Sequence, residues 1–493
     1  MHAWLRRKSI DTITVHEEGR RLVPTLSWPH LVALGIGAIV GTGIYTLIGV
    51  GANLAGPAVL VSFGVAGLVC ACAALAYAEM ATMMPAAGSA YTYSYAVLGE
   101  VVAWVVGWSL ILEYSLVVST VAVGWSGYAT GFLHGLGVDL PAALTSGPHA
   151  GGIVNLPAVL ITFVVAGLLT VGTRESATLN AVLVVAKIIA LGVFVAMALP
   201  HFDTANLHPF MPYGFAKTMG TDGVERGVMA AAAIIFFAFY GFDAISTAAE
   251  ETRNPGRDLS IGIIGSMVGC TLIYVLVALA AVGAMNFTVF GHSAEPLALI
   301  LRELGQGGAA KVIAAVAVIA LPTVLLAFLY GQSRIFFVMS RDGLLPARLS
   351  KIHPKFSTPH IITVITGIAV SLFSAMFPVG VLADISNSGT LFAFIMVSIG
   401  VLVLRVRQPN RPRPFRTPFV WPVCILAISG CILLFVNLSV YTIALFFGWA
   451  AIGLVVYFLY GYRKSYMIPG NEPADEADSK LPAEPVFHEG PEA

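Results

Sequence analysis

Little in this sequence is charged. Lys and Arg number 26 and Asp and Glu 26 in 493 residues, 11% together, and they balance to zero. Soluble domains carry about 25% charged residues, so a water-soluble core of this size would lack a polar surface. The zero balance also excludes the electrostatic footprint of a nucleic-acid binder. Cysteine is scarce: Cys70, Cys72, Cys270, Cys424 and Cys431 all fall in apolar runs, with neither metal-site nor redox spacing. The histidines are scattered, and no nucleophile–base pair can be assembled from spacing. An enzyme, a metal centre and a bound cofactor are therefore not expected. The opening MHAWLRRKSIDTITVHEEGRRL lacks the short apolar core of a cleavable signal peptide, so the first span must itself direct insertion.

Apolar sequence is abundant, at 58% of residues. Runs long enough to cross a hydrocarbon core recur from Trp28 to Tyr460 and predict an all-α polytopic membrane protein. The expected spans are 28–52, 57–84, 98–131, 154–172, 175–199, 226–251, 260–286, 310–340, 360–378, 382–404, 418–438 and 440–461. They divide into an N-terminal segment (1–27), a five-span repeat (28–199), a second, inverted repeat (200–404), spans eleven and twelve (405–461), and a tail (462–493) expected to be disordered. With the N-terminus inside, twenty basic residues fall in inner segments and four (Lys217, Arg226, Arg302, Lys311) in outer ones. That bias predicts an even span count with both termini cytoplasmic; the expected location is the cell's inner (plasma) membrane.

Spans one and six each carry glycine near the middle, in GAIVGTG and in FAFYGFD. Glycine weakens a helix by roughly 1 kcal/mol relative to alanine. Irregular backbone at membrane depth survives only where it lines a cavity or is buried in protein. Two interrupted, oppositely directed spans at corresponding positions predict an inverted repeat around a central binding site. After Gly41-Thr42-Gly43, the outer half of span one would present free N–H groups and a positive dipole end, suited to a carboxylate. Carbonyls near Ile39 and Val40, and in span six at Phe237, Ala238 and Tyr240, would suit an ammonium group. A free α-amino acid carries both groups.

Lys187 lies about twelve residues into span five, near mid-depth at ~1.5 Å per residue. A lysine there costs roughly 3 kcal/mol unless paired, deprotonated or wet, and it is expected to carry a coupling proton. Its ammonium would take the place of Na⁺ beside span one, with Thr323 supplying an oxygen. The preceding Pro322 has no hydroxyl, so H⁺ is the expected coupling ion rather than Na⁺. Glu113 in span three is a candidate proton relay, amine contact or buried hydrogen-bonded acid. Glu79 is expected to be structural or gating, and Asp243 to cap the second half of span six. Glu250, Glu251 and Arg253 sit at the inner membrane surface, where salt bridging or gate closure is expected.

At GIGAIVGTGIY, PAAGSAYTYSYAVLGE, FYGFDAISTAAEETRNP and YGQSRIFFVMSRDGLLP, the chain resembles the amino acid–polyamine–organocation superfamily, and most closely its bacterial cationic-amino-acid-transporter subfamily. The resemblance spans roughly residues 25–460 and implies a leucine-transporter-type fold: two inverted five-helix repeats plus two further helices, working by alternating access. It implies that Ile39, Thr42 and Gly43 contact the substrate carboxylate and Phe237, Ala238 and Tyr240 its amino group. Lys187 matches the lysine that proton-coupled relatives place at the vacant sodium site. Phe328 matches a position facing the substrate side chain, where a bulky ring predicts small or medium neutral L-amino acids such as alanine. The expected activity is proton-coupled import, with amino acid exchange or cationic substrates as alternatives and a non-transporting sensor as a further one. The expected partners are a free L-amino acid and the lipid bilayer; the sequence identifies no single-span membrane partner.

Overall fold

The computed structural model describes residues 6–10, 26–86, 88–171, 177–350, 353, 358–468 and 471, without the side chains at 177–179, 250 and 350. Helix occupies every expected span. Span one is broken into Trp28–Ile39, Thr42–Tyr45 and Leu47–Ala55, and span two is Val59–Met83. Spans three, four and five are Glu100–His134, Leu156–Val171 and Ala177–Ala198. Span six is broken into Val228–Ile235 and Phe242–Thr247, and span seven is Pro255–Ala284. Spans eight, nine and ten are Gly307–Arg341, His360–Met376 and Val379–Arg407; the last two are Val420–Val436 and Val440–Val456. A short helix at Ser89–Val97, between spans two and three, was not foreseen. Among the described residues, eight helices are long and apolar enough to cross a membrane, and four shorter apolar ones accompany them.

Proline sets several starts, sitting in the first turn at Pro29, Pro57, Pro255 and Pro296, where a missing N–H costs nothing. Pro322, inside span eight, is different. It has no N–H for the Val318 carbonyl four residues back, and the Trp125 indole N–H of span three takes that carbonyl at 2.8 Å. Spans three and eight, at 35 residues each, reach ~52 Å at 1.5 Å per residue and run past the hydrocarbon core at their ends. They pack on each other, span ten packs on span three, and span seven packs on spans one and two.

The bundle is apolar outside as well as inside. Phe163, Val185, Ile189, Ile368, Leu372 and Ile425 are exposed on spans four, five, nine and eleven, the surface that lipid covers. The described chain ends meet on one side. Arg6 donates to the buried Glu100 carboxylate at 3.3 Å and to the Tyr462 carbonyl at 3.4 Å. That is the arrangement an even number of crossings produces. Tyr462–Lys464 is helical and Ser465 is buried, so the tail expected to be disordered from 462 opens with an ordered stretch. Residues 469, 470 and 472–493 lie outside the described part.

Candidate functional site

The two breaks touch. In span one, Val40 leaves the helix at ψ 94° and Gly41 is extended (φ −150°, ψ −146°) before helix resumes at Thr42. In span six, a 3₁₀ turn at Phe236–Ala238 leads to Gly241 at φ +119°, and helix resumes at Phe242. That φ is open to glycine and strained for any other residue. A β-carbon on Gly43 would stand 2.4 Å from the Ala238 Cα, and one on Gly241 would stand 3.0 Å from the Ala38 carbonyl carbon. The glycines are there because two backbones cross at contact distance.

Breaking a helix in lipid leaves polar backbone groups that protein must satisfy. Lys187, 1% exposed, donates to the Gly37 carbonyl at 3.1 Å and to the Thr323 hydroxyl at 3.2 Å. Thr323 thus supplies the oxygen expected beside the lysine. The Tyr274 hydroxyl of span seven donates to the Ile39 carbonyl at 2.7 Å, and Tyr128 takes the Tyr45 carbonyl at 2.6 Å. This corrects the expectation of a free Ile39 carbonyl: a tyrosine distant in sequence already occupies it. In span six, Asn387 of span ten donates to the Ala233 and Ile234 carbonyls at 2.7 and 3.2 Å. Tyr240 shares a 2.8 Å hydrogen bond with Ser386.

A small cavity remains where the breaks cross. Ile39, Gly41, Thr42, Gly43, Phe237, Tyr240 and Phe328 all line it; Val40 and Ala238, expected with them, do not. Ala38, Val117, Val121 and Val324 complete the wall. Their signal in the sequence was faint. Val117 and Val121, like Val324 and Phe328, are spaced four apart on one helix face, which core packing also produces. The room left for the centre of a water-sized sphere is about 10 Å³, enough for about one water. The Thr42 hydroxyl is buried there with no hydrogen-bond partner among the described residues. Phe328 closes one side, its ring 5.3 Å from that of Tyr114 and 6.2 Å from that of Tyr240.

The carboxylates fall outside this wall. Glu113 is 1% exposed, and neither oxygen has a hydrogen-bond partner among the described residues. Asp243 accepts the Gly241 N–H at 3.1 Å, reaching back to the residue that starts its own helix, and takes the Tyr114 hydroxyl at 3.1 Å. Glu79 is a structural anchor: Arg405 grips both its oxygens at 2.9 and 2.7 Å, Arg413 stands at 3.1 Å, and the Thr417 N–H donates at 2.8 Å. It ties span two to the end of span ten and the segment beyond. Glu251 pairs with Arg334 at 2.9 Å, whereas the Glu250 side chain lies outside the described part. No group of His, Cys, Asp and Glu among the described residues could hold a metal ion.

Two broken helices crossing at one buried cavity, inside a bundle of apolar helices, define a multi-pass membrane protein of the transporter class. The chain belongs to the amino acid permease family, whose family model matches residues 26–460, within the amino acid–polyamine–organocation superfamily. It is 46% identical over 465 residues to the branched-chain amino acid permease BcaP of Bacillus subtilis (strain 168), covering 93% of this chain and 98% of that one. It is 40% identical over 470 residues to the methylthioribose transporter of the same organism, covering 95% and 100%. It is 37% identical over 424 residues to cationic amino acid transporter 2, vacuolar, of Arabidopsis thaliana, covering 84% and 66%.

Proposed function

We propose that this permease imports neutral L-amino acids with aliphatic side chains, together with protons, by alternating access at the crossed breaks. The observation that carries the proton-coupled reading is the Lys187 amine set between the Gly37 carbonyl and the Thr323 hydroxyl, beside the unwound part of span one. Protonated, it ties spans one, five and eight together. Losing the proton removes the charge behind those hydrogen bonds and loosens span one. The substrate carboxylate is assigned to the N–H groups of Thr42 and Gly43 and the Thr42 hydroxyl, and the amino group to the carbonyls around Phe237. The cavity as it stands admits water but no amino acid, so loading requires the wall to move apart. On this reading both termini are cytoplasmic and the protein resides in the inner (plasma) membrane.

Phe328 supports a small substrate such as alanine. A second reading, a branched-chain substrate, is supported by the three valines at 117, 121 and 324 and by the similarity to BcaP. The experiment is uptake of labelled alanine and leucine into proteoliposomes under an imposed pH gradient alone, with all twenty amino acids as competitors. Accumulation driven by the gradient, in competition with neutral aliphatic amino acids, is expected. Uptake that requires internal amino acid would replace symport with exchange, and competition by arginine and lysine would replace the neutral substrate.

A further inference from the structure

The first part of span one, Trp28–Ile39, and the last part of span six, Phe242–Thr247, lie together toward the side where the chain ends meet. Backbone joins them at both ends. Near the cavity, Gly241 packs on the Ala38 carbonyl carbon. At the far end Leu26 bridges Thr252, with the Leu26 N–H donating to Glu251 at 3.0 Å and the Arg253 N–H to Leu26 at 2.9 Å. These contacts tie the two helices to each other.

One charged side chain of span eight grips that pair. Arg334 donates from one nitrogen to the Thr247 carbonyl at 3.1 Å and from another to the Glu251 carboxylate at 2.9 Å. Its guanidinium lies 4.2 Å from the centroid of the Tyr330 ring, one turn earlier on span eight, which fixes its direction. Thr247 ends its helix, where carbonyls lack partners and a cation is favoured. The 3₁₀ turn Ala249–Glu251 then brings the carboxylate round to the same fork. A planar guanidinium satisfies both acceptors at once, which a lysine ammonium cannot do in the same geometry. Other links hold the joined parts deeper in the bundle: Tyr114 to Asp243, Ser246 to Ser89, Lys187 to Gly37 and Tyr274 to Ile39.

We propose that Arg334 is a positioning residue: it latches the joined parts of spans one and six to span eight, and its contacts break before the cavity opens toward the chain-end side. The proposal rests on the alternating-access reading above, but its test does not depend on transport.

Ser246→Cys places a reporter at a fully buried position of the latched segment, and the five native cysteines among the described residues are buried as well. The rate of maleimide modification of this cysteine is measured on the purified full-length protein, with thermal melting as a check on folding. Arg334→Ala is expected to raise the rate roughly tenfold, and Glu251→Gln, which keeps the Thr247 contact, roughly threefold. In the Arg334→Ala background Glu251→Gln should add nothing, because the partner is gone. An unchanged rate in Arg334→Ala, or full additivity of the two changes, overturns the proposal. If Arg334→Ala melts early, Glu251→Gln decides alone, and an unchanged rate there overturns it. Absence of uptake by the unmutated protein, with the labelling rates still raised as expected, would instead tell against the transport reading and leave the latch standing.

Discussion

The α-carbon of Gly43 faces Ala238 so closely that a β-carbon on Gly43 would stand 2.4 Å from the Ala238 Cα. Backbone, not a flexible side chain, is what such a methyl group would meet. Gly43→Ala must therefore push spans one and six apart. The expected cost is about 1–3 kcal/mol of stability, seen as a lower melting temperature, with uptake abolished.

Lys187→Ala removes the donor to the Gly37 carbonyl and the Thr323 hydroxyl, both in a buried setting. Thr323 keeps its hydrogen bond to the Ala320 carbonyl, but the Gly37 carbonyl loses this donor, at a cost of about 1–3 kcal/mol. Uptake driven by an imposed pH gradient is expected to disappear in proteoliposomes. Full accumulation in this variant would eliminate Lys187 as the proton carrier.

Phe328→Ala removes a ring from the cavity wall, with its edge contact to Tyr240, and leaves the backbone of both breaks unaltered. The extra room should favour longer side chains. In competition uptake the ratio of leucine to alanine inhibition is expected to rise about tenfold or more, in line with discrimination by size in an apolar pocket. No change in that ratio would mean that Phe328 packs the core without facing the substrate.

Glu79→Gln leaves Arg413 buried without its carboxylate and weakens the hold on Arg405. Breaking a buried ion pair from one side costs about 3–5 kcal/mol. A clear drop in melting temperature is expected, with the order of competing substrates unchanged. Altered substrate order would place Glu79 in the transport path rather than in the scaffold.

The sequence alone determined the class of fold. Twelve apolar runs can only become helices in lipid, because no water is there to satisfy an open backbone. The two breaks were legible because Gly41, Gly43 and Gly241 each weaken a continuous helix and cluster near the middle of spans one and six. Lys187 was conspicuous as a lone cation at mid-depth, and Pro322 followed by Thr323 gave its oxygen partner. Tyr274, Asn387 and Trp125 were not legible. Each closes an orphaned carbonyl of another span, and a tyrosine, an asparagine or a tryptophan in an apolar run carries no mark of which distant carbonyl it will meet.

Tertiary structure also decided which neighbours of the breaks reach the cavity. Val40 and Ala238 do not reach it, Ala238 being packed against Gly43 at the crossing, while Val117, Val121 and Val324 from spans three and eight do. Periodicity fixes which residues share a face of one helix, since that follows from 3.6 residues per turn. Which faces meet, and how much room they leave between them, follows from the packing of the whole bundle.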